Sequence, residues 1–430
     1  MAEDLRFPDG FYWGTATSSH QVEGNNTKNQ WWAWEQEGGH IEDDTVSGLA
    51  VDHYNRFEED FALSRQFGHN AHRFSIEWSR IEPEEGVWDE KEVEHYQKVL
   101  EALHRNNLVP FVTLHHFTNP VWFEDLGGWT SERAPELLGR YAGYMAKALG
   151  DAVPFWLTIN EPPVLPAAQY IAGVFPPQKR DMDLARLASR HILMSLGTMH
   201  NAIRENAPHK PTIGPVINMT YAMPASEEEE DRAAAKVLDQ YWNGFWLDGL
   251  RDGVIGAPWG DGEEVPGLKG AWDVMGLNYY SRSVVARGGT RGLGIRQIPP
   301  PEGAETSTMG WEVYPEGFYQ CITRLKQYGI PVYITENGIG TDDDEQRISY
   351  LVRHLYQVKR AIDDGVDVRS CLHWCQQDNF EWARGYRQKF GLWATEEGTL
   401  NRVPKDSAYF FKDVAENNRV PGELVEKYVK

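Results

Sequence analysis

Short apolar runs alternate with amphipathic stretches along most of the chain. Three runs are apolar on both faces and rich in aromatic and Thr residues, which is typical of buried parallel strands; they lie at 110–114, 154–159 and 331–335. Five further short runs bring the candidate strands to eight; they lie at 11–16, 71–75, 212–217, 274–277 and 371–374. Apolar residues three or four positions apart predict helices between most of them, most clearly at 93–103 and 348–362, and Ser226 before four Glu residues is expected to cap another. The alternation predicts an α/β fold, a single (β/α)8 TIM barrel with elaborated loops, as one domain over residues 1–430.

Polar side chains follow three of the predicted strands directly. In chain order, His115 and His116 follow the third run, Asn160 and Glu161 the fourth, and Glu336 the seventh. In a barrel of this kind the chemistry lies at the carboxyl ends of the strands, so Glu161 and Glu336 are expected to face one cavity. Two such carboxyl groups can cleave a glycosidic bond, because one protonates the leaving oxygen while the other attacks the anomeric carbon or activates water.

Composition narrows the class of partner. The chain has 42 Lys and Arg against 64 Asp and Glu, and the net charge of -22 excludes nucleic acid as an expected partner. No apolar stretch approaches the roughly 20 residues of a membrane span, and the acidic start carries no secretory signal, so we expect a cytoplasmic protein with no membrane partner. The 17 Trp residues suit a large core and flat ligands such as sugar rings.

The three Cys residues predict neither disulfides nor a metal site. Three thiols cannot form a disulfide framework, which agrees with a reducing compartment. Cys371, His373 and Cys375 alternate along one strand, where side chains two positions apart are about 6.6 Å from each other. That spacing is too wide for them to converge easily on one zinc ion, so no metal is expected.

Two motifs surround the candidate carboxylates. The sequence TINEP at 158–162 resembles the acid/base signature of family 1 glycoside hydrolases, the β-glucosidase family, and YITENG at 333–338 resembles its nucleophile signature. Further resemblances follow in the same order along the chain: FYWG at 11–14, QVEG at 21–24, RFS at 73–75, NYY at 278–280, DNFEW at 378–382 and FGL at 390–392. One tetrapeptide would be weak evidence, whereas an ordered series over about 380 residues is specific.

The resemblance implies a retaining, two-step mechanism that uses no cofactor and no metal. Glu336 would attack the anomeric carbon and form a glycosyl-enzyme, and Glu161 would protonate the departing oxygen and then act as base toward water. Arg73 and Tyr280 resemble the residues that hold the nucleophile ionised and aimed, and Asn278 belongs to the same supporting group.

The resemblance also implies how the sugar is held. Asn160 resembles the partner of the sugar 2-hydroxyl. The matched substrate-binding positions are Gln21, His116, Trp374, Glu381, Trp382 and Phe390. A carboxylate at Glu381 would accept sugar hydroxyls and repel a 6-phosphate. The expected substrates are therefore small neutral β-glucosides, β-galactosides or β-fucosides, or the corresponding oligosaccharides.

Several positions depart from the family pattern and leave the sugar preference and the aglycone side open. Cys375-Gln376-Gln377 follows Trp374 where Ser-Leu is usual, FTN at 117–119 replaces Trp-Asp-Leu, and His20 stands where Tyr is frequent. Two alternatives remain. A catalytically weak sugar-binding relative would keep the fold, and a transglycosylase would keep both Glu residues while excluding water. No pattern in the chain predicts an oligomeric state.

Overall fold

Eight parallel strands close into a barrel in the computed structural model, which describes residues 3–289 and 292–429. In chain order they are β1 Tyr12–Ala16, β2 Ala71–Ser75, β3 Val109–His115, β4 Phe155–Asn160, β5 Thr212–Asn218, β6 Met275–Tyr279, β7 Val332–Asn337 and β8 Val368–Trp374. Each strand pairs with its neighbours in sequence, and β8 pairs with β1. All eight predicted strands and the (β/α)8 fold are confirmed, with strand ends shifted by at most three residues.

Helices surround the barrel and link its strands. The main ones are α1 His53–Gln66, α2 Glu90–Arg105, α3 Ala134–Leu149, α4 Met182–Asn206, α5 Glu229–Asp239, α6 Phe245–Asp252, α7 Pro315–Leu325, α8 Asp344–Asp363 and α9 Asp406–Asn417. Both helices that the apolar periodicity predicted are present, as α2 and α8. In α2 the periodic residues Val93, Tyr96, Leu100 and Leu103 are buried against the barrel, which is the amphipathic arrangement expected for such a helix.

Shorter elements decorate the loops. Short helices or helical turns span Ser19–Val22, Gln30–Gln36, Trp78–Ile81, Val121–Asp125, Gly128–Thr130, Gly150–Ala152, Val164–Pro166, Ala167–Ile171, Gln240–Gly244, Lys326–Tyr328, Trp382–Arg384 and Gly422–Tyr428. Strands outside the barrel form one three-stranded sheet, Tyr221–Pro224 with Arg282–Arg287 and Ile295–Ile298, and the pairs Leu5–Arg6 with Arg419–Val420, Val254–Ile255 with Glu263–Glu264, and Trp393–Thr395 with Arg402–Pro404. None of the helices in the described ranges combines the length and apolar character needed to cross a membrane.

The start of α5 differs from the prediction. The helix begins at Glu229, with Glu228 at the capping position, so Ser226 lies two residues too early to be the cap. The Ser226 hydroxyl accepts a hydrogen bond from the Glu228 N–H at 3.2 Å and donates one to Asp231 at 2.6 Å. Ser226 therefore organises the turn that precedes the helix.

Aromatic side chains fill the end of the barrel where the strands begin. Phe111, Phe155 and Tyr333 are buried together there, and the rings of Phe111 and Phe155 stack with centroids 4.3 Å apart. This packed layer closes one end of the barrel and leaves the carboxyl ends of the strands to form a cavity. Near the carboxyl ends of the strands, the register shifts where β6 pairs with β7, just before Asn278, and where β4 pairs with β5, before Asn160. Such irregularities redirect side chains, and here they bring Asn278 opposite Glu336.

Candidate active site

A cavity of about 500 Å³ opens at the carboxyl ends of the barrel strands. Nine of the residues proposed from the sequence line it: His116, Asn160, Glu161, Tyr280, Glu336, Trp374, Glu381, Trp382 and Phe390. The other three, Gln21, Arg73 and Asn278, lie behind the wall and form hydrogen bonds to lining residues. All twelve predicted site residues are therefore collected at one place.

The carboxylate of Glu336 accepts a short hydrogen bond at each of its two oxygens. Glu336 lies on β7 and is 3% exposed. Arg73 donates to Oε1 at 2.5 Å, and the Tyr280 hydroxyl donates to Oε2 at 2.6 Å. Burial raises the pKa of Glu336, whereas the charge of Arg73 and both hydrogen bonds oppose that rise. Burial and the charge of Glu336 hold the pKa of Tyr280 well above its ordinary range, so the phenol remains a donor.

Glu161 lies in a different environment, directly after β4. Its Oε1 accepts hydrogen bonds from the side-chain amides of Asn278 at 2.9 Å and Asn218 at 3.0 Å. No cationic group is hydrogen-bonded to it among the described residues. Burial first, and the charge of Glu336 second, raise the pKa of Glu161 to about 8. Glu161 is therefore protonated at neutral pH, beside the carboxyl group of Glu336, which is hydrogen-bonded to the guanidinium of Arg73.

A hydrogen-bonded chain runs from Arg73 to His116. Arg73 donates to Asn160 Oδ1 at 2.7 Å, which orients the amide so that its Nδ2 donates to His116 Nε2 at 3.1 Å. Burial and the charge of Arg73 hold the pKa of His116 well below its usual value, so the ring is neutral. Because Nε2 accepts, the proton lies on Nδ1, an atom with no protein partner in the described part of the chain. Nδ1 is itself shielded from solvent, and the hydrogen bond from Asn160 fixes the orientation of the ring in the cavity wall.

Two indoles and a third carboxyl group complete the inner cavity. Trp374 and Trp382 are both nearly parallel to His116, with ring centroids 5.7 and 6.1 Å from it. Trp374 and Gln21 donate hydrogen bonds to Glu381, the latter at 3.2 Å. Burial, followed by the charge of Glu336, raises the pKa of Glu381 to about 8. Gln21 also donates to a backbone carbonyl at 2.8 Å, so it supports Glu381 from behind.

The side chains at the positions that depart from the family pattern lie in different places relative to the cavity. Gln376 donates to the carbonyl of Asp60 and the hydroxyl of Ser64 on α1, so its side chain is turned away from the cavity. His20 stacks behind Trp382 with ring centroids 5.7 Å apart. Phe117, by contrast, is part of the cavity wall. Of these positions, Phe117 affects the cavity surface directly.

Comparison with known proteins shows which family the chain belongs to. Residues 3–420 match the sequence family described as Glycosyl hydrolase family 1. The chain belongs to this family. It is 33% identical to β-glucosidase A of Thermotoga maritima, over 96% of this chain and 98% of that protein, and 30% identical to the β-galactosidase of Pyrococcus woesei, over 99% and 100%. The solved structure of a β-glycosidase from Pyrococcus horikoshii superimposes with a TM-score of 0.92 at 35% identity, covering 99% of this chain and 98% of that one.

One contact in this glycoside hydrolase was not foreseen from the sequence. Asn218 is the last residue of β5 and donates to Glu161, while its own Oδ1 accepts from the Trp242 indole at 3.2 Å. A usable signal was present, because an Asn directly follows the apolar run at 212–217, as Asn160 follows the fourth run. Asn218 and Trp242 also line the cavity.

The Cys residues are buried and do not line the cavity, although Cys375 packs behind Trp374 and Phe390. Cys371 and Cys375 are free thiols, and burial raises the pKa of Cys371 to about 12. His373 is hydrogen-bonded through Nε2 to the carbonyl of Phe390 at 3.0 Å. Within residues 3–289 and 292–429, no group of three or more His, Cys, Asp or Glu side chains is placed to hold a metal ion.

Proposed function

We propose that this family 1 glycoside hydrolase is a retaining β-glycosidase with Glu336 as nucleophile and Glu161 as general acid and base. The observation that carries the proposal is the contrast between the two carboxyl groups. Glu336 accepts from Arg73 and Tyr280, which favours its anion, whereas Glu161 accepts from neutral amides and has a pKa raised to about 8. Environments that separate the pKa values of two carboxyl groups in this way allow one site to hold a carboxylate anion and a neutral carboxylic acid together.

The two steps follow from these charge states. The Glu336 carboxylate attacks the anomeric carbon while Glu161 delivers its proton to the departing oxygen, and a glycosyl ester forms on Glu336. Esterification removes the negative charge that had raised the pKa of Glu161. Glu161, now more acidic and ionised, takes a proton from the incoming water as that water displaces Glu336. Two inversions at the anomeric carbon return the β configuration.

The sugar-facing side chains favour a neutral glycoside as substrate. Trp374 and Trp382 offer flat faces to the apolar C–H surface of a sugar ring, and neutral His116 and Glu381 supply hydrogen bonds to hydroxyl groups. The β-glucosidase and β-galactosidase names of the relatives support β-glucosides first and β-galactosides second. β-Fucosides complete the proposed range on the basis of the sequence resemblance. The outer cavity is lined by apolar residues such as Met219, Trp242 and Val284, which favours leaving groups that present apolar surface.

The configuration of a product tests the assignment of the nucleophile. Glu336→Gly is expected to abolish hydrolysis yet to join an α-glycosyl fluoride to an acceptor sugar with a β linkage, because the small residue leaves room for fluoride where the carboxylate attacked. An α-linked product would contradict the assignment. Glu316→Gly, which changes a partly exposed Glu on α7, is the matched control and should hydrolyse substrates like the unmodified enzyme.

A substrate panel tests the rest of the proposal. The unmodified enzyme is assayed on p-nitrophenyl β-glucoside, β-galactoside and β-fucoside, then on cellobiose and lactose. Release of both p-nitrophenol and free sugar from the β-glucoside is expected. Release of p-nitrophenol without free sugar would instead identify a transglycosylase. Binding of glucose with no turnover of any substrate would contradict the proposed activity.

A further inference from the structure

The turn after β3 holds one bulky residue in an unfavourable backbone conformation. Phe117 has φ of 68°, in the left-handed region that side chains of its size rarely adopt. Its ring is 5% exposed and packs against Trp382 and Phe175, with centroids 5.2 and 5.8 Å away. All three rings line the cavity, so the backbone of Phe117 sets part of the cavity wall beside His116.

The side chain of Gln30 contacts this turn from the neighbouring helix Gln30–Gln36. Its Nε2 donates to the carbonyl of Phe117 at 3.0 Å, and its Oε1 accepts from the N–H of Asn119 at 2.6 Å. The backbone N–H of Gln30 also donates to the carbonyl of Asn119 at 3.0 Å. The amide thus pairs with the backbone on both sides of Thr118, as a neighbouring strand would, and it is 7% exposed.

We infer that Gln30 is a positioning residue whose side-chain amide keeps Phe117 in its left-handed conformation and so holds one wall of the sugar pocket beside His116 and Trp382. Strained residues persist where surrounding contacts over-determine them, and they concentrate at functional sites. Without the amide, Phe117 can return to an ordinary φ, which withdraws its ring from Trp382. The role in substrate binding rests on the proposed function.

Asn70 provides a matched control. It makes the same two kinds of bond at the opposite end of the barrel, where its Nδ2 donates to the carbonyl of Phe11 at 3.0 Å and its Oδ1 accepts from the N–H of Trp13 at 2.8 Å. Gln30→Met and Asn70→Leu each remove two side-chain-to-backbone hydrogen bonds while keeping the length of the side chain. Both are expected to lower the melting temperature, and only the first should weaken sugar binding.

The experiment measures kcat and KM for p-nitrophenyl β-glucoside and the dissociation constant of deoxynojirimycin, a sugar-shaped amine, by calorimetry. In Gln30→Met, KM and the dissociation constant are expected to rise about tenfold while kcat changes less than about threefold, because the lost contact acts on binding. Values within about twofold of the unmodified enzyme, or equal changes in Asn70→Leu, would overturn the inference. If Gln30→Met does not fold, Gln30→Glu is measured instead, since a carboxylate cannot donate to the carbonyl of Phe117.

A double substitution separates positioning from a general loss of stability. Phe117→Ala should raise KM, and adding Gln30→Met to it should raise KM little further, because the wall that Gln30 holds is already gone. Independent, multiplicative effects would contradict the inference. The inference and the proposed function fail differently: an enzyme that hydrolyses no glycoside refutes the proposed function, whereas calorimetry still reports whether Gln30 affects the pocket.

Discussion

Removing the amide of Asn218 should raise the pKa of Glu161. Asn218 and Asn278 both donate to the same carboxylate oxygen, at 3.0 and 2.9 Å, and such bonds favour the ionised form. A hydrogen bond to a charged group contributes about 1.5–3 kcal/mol. Because Asn218 is only partly buried and water can replace its amide, we assign about 1 kcal/mol to the bond that it donates to Glu161. At 1.36 kcal/mol per pKa unit this is a shift of about 0.7 units in Asn218→Ala.

The assay is the pH dependence of kcat/KM for p-nitrophenyl β-glucoside, whose basic limb reports the general acid of the free enzyme. Activity is lost as pH rises through the pKa of Glu161, so the limb near 8 should move upward in Asn218→Ala, to between about 8.5 and 9. Asn218→Asp, which adds a negative charge at the same place, should move it further. Asn70→Leu, at the other end of the barrel, should leave it unchanged. A limb that stays in place or moves to lower pH in Asn218→Ala would refute the reasoning.

Three further outcomes follow from the same structure. Glu161→Ala should impair glycosides with poor leaving groups far more than activated aryl glycosides, and azide should restore activity as a β-glycosyl azide; equal losses on all substrates would contradict the acid role. The preference for a glucoside over its 6-phosphate should increase between pH 7 and 9 as Glu381 ionises, and Glu381→Gln should not show this increase. Arg402→Leu should lower the free energy of unfolding in urea by about 3–5 kcal/mol, because it leaves the buried Asp60 carboxylate without its guanidinium. Burial raises the pKa of Asp60, but the hydrogen bonds and charges of His53 and Arg402 outweigh burial and lower this pKa overall. The difference in the free energy of unfolding between the unmodified protein and Arg402→Leu should therefore shrink as pH falls through this pKa. A difference that stays constant in acid would contradict the reasoning.

The barrel was predictable because its signals are local. Most strands are short, largely apolar runs, and residues such as Glu161 and Glu336 that follow the runs meet wherever parallel strands share one edge. The cap assigned to Ser226 was wrong by two residues, since a Ser before acidic residues can equally order the preceding turn. Helix ends are set by individual hydrogen bonds, which a sequence pattern does not resolve.

Contacts that shape the site were less accessible to sequence reasoning. Gln30 bonds to Phe117 across 87 positions, and no periodicity links the two. Register shifts in β4 and β6, which aim Asn160 and Asn278, likewise depend on how neighbouring strands pair. Residue type and place in the chain therefore predicted the two candidate carboxyl groups and their supporting residues Arg73, Tyr280 and Asn278. Asn218 and Gln30, which contact Glu161 and Phe117, became visible only with the fold.

The charge states of the cavity modify the expectation that Glu381 is a carboxylate that repels a 6-phosphate. Three carboxyl groups, Glu161, Glu336 and Glu381, line one buried space, and the guanidinium of Arg73 contacts Glu336. Like charges confined in low dielectric cannot all be ionised, and the pKa of both Glu161 and Glu381 is accordingly raised to about 8. The favoured state at neutral pH is one anion and two neutral acids. Under the proposed function, Glu381 would recognise a sugar hydroxyl both as donor and as acceptor, and its repulsion of a 6-phosphate would develop only above neutrality. In the proposed mechanism, esterification of Glu336 removes its charge from both neighbours, so Glu161 gains acidity at the step that needs a base and Glu381 becomes a stronger acceptor for the bound sugar.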